Sequence, residues 1–419
     1  MLPVSSILTV KNALQLVLEH CKQLNNKELS SEVIPLREAH GRILAESVYL
    51  DSDQPPFDRS MRDGYAVLAE DVQELPARLK CLGEVKAGEV SNLCLRKGEA
   101  LQIMTGAPVP LGADAVVMVE YTKRSNSDEI IILKSGASKS NIALKGSERK
   151  VGDLLVSKGA RVGAVELGGL ASVGKSQICV FKRPTVGILA TGDELVEVDQ
   201  TPGPGQIRNS NAYLLYAQVL KMGGIPKILS TATDEVEDLR NQIIEGLIND
   251  VLLISGGVSM GKYDLVEPVM SKLGIQIYFE SVSMRPGKPT VFARKGRQFV
   301  FGLPGNPVST FVAFELFVNP VLKTLQGLGP RPHSIIRGRL KSEIIEKSGR
   351  TTFLPATVSD QGDGIKVEPV SWKGSADIFS VIGANGLIVV PLETVRLIPG
   401  DQVDVILFEQ MDNFPQCTF

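Results

Sequence analysis

The chain reads as an α/β multidomain protein in which a central doubly wound, mostly parallel α/β domain is joined to β-rich regions. Three observations lead there. Strand-like apolar runs alternate with helical patterns from residue 182 to 326. The run Val251-Leu252-Leu253-Ile254 ends in a glycine-rich turn, Ser255 to Gly261. Short β-rich runs broken by Gly, Pro and Asn or Ser fill residues 51–144 and the stretch after 327. At 419 residues the chain exceeds one ordinary core, so several domains follow.

Taken in order, Val10, Ala13, Leu14, Val17 and Leu18 share one face of an amphipathic helix. From Asp51 to Leu144, runs such as Ala115-Val116-Val117-Met118-Val119 and Ile130-Ile131-Ile132-Leu133 predict a small β-rich insert domain. A helix over 162–173 ends at Gly174, a fitting C′ residue, and is expected to pack with the first helix. Residues 1–50 and 145–181 would then form one helical/β domain around the insert. Within 182–326, Val186-Gly187-Ile188-Leu189 is a strand. A helix runs from Asn211 to Met222, capped by Asn209, Ser210 or Asn211 and stopped by Gly223-Gly224. Val236, Leu239, Ile243 and Leu247 mark another helix, and Phe299-Val300-Phe301 a further strand. Asn306 as N-cap with Pro307 at N1 opens a long apolar helix to about Leu325. Gly327 to Pro332 reads as a linker. The strands at 350–354, 365–368, 386–390 and 403–407 build a C-terminal β domain over 327–419.

Composition excludes several classes of function. Hydrophobic residues at 43% and charged residues at 22% are those of a soluble globular chain. A formal net charge of −2 does not suit a general binder of nucleic acid or anionic membrane, so neither partner is expected. No apolar run approaches the roughly 20 residues of a bilayer span, and Met1 to Ser6 carries no cationic, apolar leader pattern. Five scattered cysteines without C-x-x-C predict free thiols in a reducing cytoplasm, and three scattered histidines give no zinc pattern.

Chemistry concentrates at predicted strand ends, where open α/β sheets bind their ligands. Ser255, Gly256, Gly257, Ser259 and Gly261 offer bare backbone N–H groups that suit an anion. Asp264 adds a carboxylate just beyond them. Thr191-Gly192-Asp193-Glu194-Leu195 follows the first strand with two more acids, as metal ligands or as a solvated helix start. Asp234 is either a ligand or a helix N-cap. Pro304-Gly305-Asn306, with Ser309 beyond, starts a helix whose N-terminus attracts an anion. A phosphate-bearing ligand with a metal ion is the first hypothesis. Arg285-Pro286-Gly287-Lys288-Pro289 is a surface turn or a rigid cationic clamp for an oxyanion. Ser60 to Ala66, Met104 to Pro110, Lys373-Gly374-Ser375 and Arg350 are, by themselves, turn or surface residues.

Together, DGYA (Asp63 to Ala66), MTGAPVP (Met104 to Pro110), TGDEL, SGGVSMG-x-YD, PGKP and LPGNPVS resemble the molybdenum insertase family, the MoeA and gephyrin E-domain group. The resemblance covers nearly the whole chain in the family's order. It implies four subdomains, the first elongated, and a homodimer whose active sites lie between the α/β domain of one subunit and the β insert of the other. It implies adenylylated molybdopterin and molybdate as substrates, AMP release and Mg²⁺. By the same resemblance, Asp63 and Thr105 reach across the dimer. Glu194, Asp234 and Asp264 surround the nucleotide and metal, and Lys288, Ser309, Arg350 and Ser375 line the molybdate site. Three positions depart from the family pattern: Lys262 before the YD pair, Arg285 for a frequent Lys, and Glu148 where an Asp is usual. Two rivals are a molybdopterin adenylyltransferase, which lacks the DGYA insert and the C-terminal β domain, and a non-catalytic dimeric scaffold. Contact with an adenylyltransferase partner remains compatible with the insertase reading.

Overall fold

The computed structural model describes residues 7–24, 29–126, 128–134, 136–257, 265–360, 362 and 364–408. Ser259, Gly261, Lys262 and Asp264 lie outside the described residues.

The central sheet has six strands in the order Ile225–Ile228, Thr185–Ala190, Val251–Ser255, Gln298–Leu303, Val291–Lys295, Gln276–Phe279. The first four run parallel and the last two pair antiparallel. Strand Val251–Ser255 is apolar at four successive positions because both its faces are covered. Val251 and Leu253 join the core cluster beneath helices Ser210–Lys221 and Pro307–Ala313, while Leu252 and Ile254 join the cluster beneath Val236–Gly246 and Val266–Lys272. Alternation of side chains across the strand divides one apolar run between two cores. The doubly wound expectation therefore holds. The second strand lies on one side of the first and the third on the other, so the order reverses at Thr185–Ala190. A crevice opens at the carboxyl ends of strands that flank such a switch point.

The helical run 307–325 is long and apolar enough to cross a membrane, but 83% of it is buried inside the protein. It is a core helix, and it ends at Leu325, where the sequence reading places its end. Helix Val10–Lys22 differs from expectation in its partner. Ala13, Val17 and Cys21 enter the core of the α/β unit, whereas Leu170 of helix Ala164–Ser172 packs with Ile34, Leu44 and Ile178. The two helices resemble each other in pattern, yet strand Leu8–Thr9 pairs with Val282–Ser283 and carries the first helix to the α/β unit.

A separate six-stranded sheet, ordered Ala115–Met118, Gly64–Val67, Glu99–Ile103, Ala77–Val85, Glu129–Ile132, Thr122–Arg124, buries a cluster on each face. In the C-terminal part, Thr351–Asp360, Ile365–Pro369, Ile335–Leu340, Gln402–Leu407 and Gly386–Val390 pair in a closed ring. Strand Ile335–Leu340 precedes the expected first strand. Its alternation is broken by Gly338, where a Cβ would meet Val367 Cγ2 at 2.5 Å. Val282–Arg285 adds to the same sheet beside Thr351, so the segment read as a cationic turn begins as a strand joining two units.

Candidate functional site

At the switch point lies a cavity of about 700 Å³, whose wall includes Thr191, Glu194, Arg208, Asn211, Ser255 and Asn306. Three strand ends converge there. Thr191 N–H donates to Ser255 O at 3.0 Å, and Gly256 N–H to Leu303 O at 3.2 Å. Gly256 has φ +96°, and a Cβ on it would meet Thr191 O at 2.5 Å. Only glycine allows the first and third loops to approach this closely. Gly192 has φ +140°, and the Glu194 carboxylate folds back so far that a Cβ there would lie 2.5 Å from Oε2. The turn thus places Glu194 on the cavity wall.

Asn211 is one of three residues at which the sequence places the helix cap. Asn209 is the cap, its Oδ1 accepting Ala212 N–H at 3.2 Å. Asn211 Nδ2 instead donates to Ser255 Oγ at 2.9 Å and to Gly305 O at 2.7 Å, while its buried Oδ1 has no hydrogen-bond partner among the described residues. A buried acceptor left open on a cavity wall fits a ligand that brings a donor. Arg208 was also missed; it stands in a short strand pair, Leu195–Val196 with Ile207–Arg208, and is anchored through Nε to Gln200 O at 3.0 Å.

Asp234 is exposed and is not the N-cap of helix Val236–Gly246; Glu235 holds that position, without a side-chain cap. Asp234 N–H donates to Asp193 Oδ1 at 3.1 Å, which brings the Asp234 and Glu194 loops together. Asp238 accepts Thr233 N–H and hydroxyl at 2.8 and 2.9 Å, and these two bonds hold its carboxyl below the usual range. No three His, Cys, Asp or Glu side chains among the described residues converge as a metal set. Mg²⁺ is ordinarily held by one or two carboxylates plus substrate phosphates, so Glu194 and Asp234 fit it as oxygen donors.

The second group of candidates surrounds the start of helix Pro307–Ala313. Asn306 occupies its N-cap, but its amide donates to Ser375 Oγ at 2.9 Å, and Val308 N–H donates to Ser375 O at 3.0 Å. Ser309 is buried, and a Cβ on Gly287 would lie 3.5 Å from its carbonyl oxygen. Arg350 Nη1 donates to Met284 O at 3.4 Å. Lys288, Ser309, Arg350 and Ser375 therefore sit on neighbouring segments. Arg285 does not serve as a free cation. Its guanidinium pairs with buried Glu346 at 3.1 and 3.2 Å. Burial pushes the Glu346 carboxyl up, but Ser348 and Arg285 outweigh it and hold it below the usual range. Glu148 pairs with Arg59 at 3.0 Å, with both side chains partly exposed.

Asp63 and Thr105 belong to the six-stranded sheet region and meet each other. Thr105 N–H and hydroxyl donate to Asp63 Oδ1 at 2.6 and 2.8 Å and lower its carboxyl pKa, although Asp63 is fully exposed. Among the described residues, none of that region lines the 700 Å³ cavity.

Family models match three stretches of the chain. Residues 8–174 match the MoeA N-terminal region (domain I and II), 187–324 a probable molybdopterin binding domain, and 337–408 the MoeA C-terminal region (domain IV). The chain is 36% identical to the molybdopterin molybdenumtransferase of Bacillus subtilis, across 92% of this chain and 91% of that one. It is 33% identical to that of Staphylococcus epidermidis across 96% of each. Two solved structures of the molybdopterin biosynthesis MoeA protein of Pyrococcus horikoshii superpose with TM-scores of 0.82 and 0.81, at 34% and 29% identity. Each covers 96% of this chain and 100% of the other.

Proposed function

The chain belongs to the molybdopterin molybdenumtransferase family, and from that premise we propose that it inserts molybdate into adenylylated molybdopterin and releases AMP. The observation that carries this reading is the cavity at the switch point. Two backbone turns and a helix N-terminus face it, and Glu194 stands on its wall. Gly256 N–H is held by Leu303 O, so the N–H of Gly257 and the positive end of the helix that starts at Pro307 are the groups that suit the phosphoanhydride. Arg208 contributes a cation on the same wall. Mg²⁺, held by Glu194 and Asp234 with phosphate oxygens, would neutralise charge as the phosphorus–oxygen bond breaks.

Lys288, Ser309, Arg350 and Ser375 are the proposed molybdate residues. A guanidinium and an ammonium attract the oxyanion, and the hydroxyls add directed donors. Asp264, Ser259 and Gly261 join the nucleotide side on the strength of the motif alone. We assign Asp63 and Thr105 to the site of a second subunit, because they are exposed and joined to each other while, among the described residues, none of their region lines the cavity of their own chain. The same reading makes the protein a homodimer. Free thiols at Cys21, Cys81, Cys94 and Cys179 accord with a reducing cytoplasm.

The test is incubation with adenylylated molybdopterin, Mg²⁺ and molybdate, following AMP and active cofactor together. Stoichiometric appearance of both supports the reading. AMP released at an equal rate without molybdate, and no active cofactor, would overturn it.

A further inference from the structure

A second cavity, of about 200 Å³, opens where residues 40–43 and strand Gln177–Phe181 meet the end of helix Ser210–Lys221. Its wall carries His40, Arg42, Arg161, Arg183 and Lys221, and no acidic side chain among the described residues. Arg42 is neutralised by Glu32 at 2.5 Å and donates to Phe181 O at 2.8 Å. Lys221 donates to the Phe408 carbonyl. Arg161 Nη1 donates to Gly41 O at 3.1 Å, but neither Arg161 nor Arg183 has an acidic partner within ion-pair distance among the described residues. The positive field extends further. Lys158 Nζ stands 5.4 Å from the Phe181 ring centroid, and Phe181 forms part of the wall. Burial lowers the Lys323 pKa; nearby Glu315 opposes that shift and Arg161 adds to it.

Cations at a helix C-terminus can simply complement its partial negative charge. That explains Lys221, in the last turn of helix Ser210–Lys221, but not Arg161 and Arg183, which arrive from other segments. Like charges gathered without acids repel one another unless a counter-ion joins them. We propose that this cleft binds a small tetrahedral oxyanion of the phosphate class, gripped by the guanidinium groups of Arg161 and Arg183. Its volume falls below the roughly 300–1,000 Å³ of pockets that enclose drug-sized ligands, which argues against a whole nucleotide. Guanidinium groups present paired donors that match such an anion. The wall joins segments of the N-terminal part, at Arg42 and Arg161, to segments of the α/β unit, at Lys221 and Gln326. A bound anion therefore ties the two together.

The experiment is titration calorimetry of the full chain with inorganic phosphate, repeated with molybdate to tell a phosphate site from a second reservoir for the cargo oxyanion. The wild type should show a saturable step. Arg161→Ala/Arg183→Ala should weaken it roughly tenfold or more, as expected for losing charged hydrogen bonds. Arg161→Lys/Arg183→Lys, which keeps the charge, should recover much of it. Lys288→Ala, at the proposed molybdate site, should leave it in place. Circular dichroism checks that each variant is folded. No saturable step in the wild type overturns the assignment, as does wild-type affinity in the double alanine variant or a step lost only with Lys288→Ala.

Discussion

Asn211 holds two loops of the cavity with one amide, donating to Ser255 Oγ and Gly305 O. Each bond contributes about 1 kcal/mol net, and the carbonyl and hydroxyl it would abandon are part of the cavity wall. Asn211→Ala should therefore lower stability by about 1–3 kcal/mol and raise KM for the nucleotide substrate more than it lowers kcat. Unchanged thermal unfolding together with unchanged KM would show that the ties are idle. Glu194 has a different part. It is exposed, and the turn at Gly192 folds its carboxylate onto the cavity wall. Glu194→Gln keeps the shape and removes the charge, so AMP release should fall about a hundredfold or more with the fold intact. Turnover within a few-fold of wild type would remove Glu194 from the chemistry. Neither role of Asn211 was legible in the sequence, because an asparagine at a helix start reads as a cap. Glu194 was legible because it follows a buried strand directly.

The parallel strands announced themselves through unbroken apolar runs, which only burial on both faces explains. What the pattern hid was interruption. The predicted long helix from Pro307 is α-helical to Ala313, π-helical over Phe314–Val318 and α-helical again over Asn319–Leu325. Pro320 has no N–H for the carbonyl of Leu316 and its ring crowds that carbonyl, so the turn before it widens. The widened turn carries Glu315, buried at 3% exposure. Its carboxylate accepts from Gln218 at 2.9 Å and Asn319 at 3.0 Å, with His333 Nε2 at 3.3 Å. Burial pushes this carboxyl up, yet the donors outweigh it and hold it below its ordinary value of 4.5. The folded pKa is thus depressed. Its contribution to stability is present in full above 4.5 and is lost as pH falls through the lower folded value. Glu315→Gln should cost about 3–5 kcal/mol near neutrality, since it breaks a buried charged network. The gap between the urea midpoints of variant and wild type should narrow in acid; a gap that widens there would refute the sign.

At the scale of the molecule, the six-stranded sheet presents a carboxylate that its own chain leaves out of the cavity. Asp63 is fixed by the N–H and hydroxyl of Thr105, which lower its pKa and keep it charged, while it stays fully exposed. Fixing an exposed carboxylate with two short bonds gives its own domain little stability. It suits a group offered to a partner surface. In the proposed two-fold dimer, an Asp63 that enters the partner's cavity does so at both sites, because every contact in such a pair occurs twice. The consequence can be measured by mixing inactive Asp63→Ala with inactive Glu194→Gln and allowing subunit exchange. In a hybrid dimer, one site combines the intact Glu194 of one chain with the intact Asp63 of the other, and the second site carries both changes. Random exchange makes half of the dimers hybrids with one working site in two, so turnover should return to about a quarter of wild type. Sites contained within single chains would stay dead in every combination. Proven exchange with no recovery would therefore return Asp63 to a role inside its own domain.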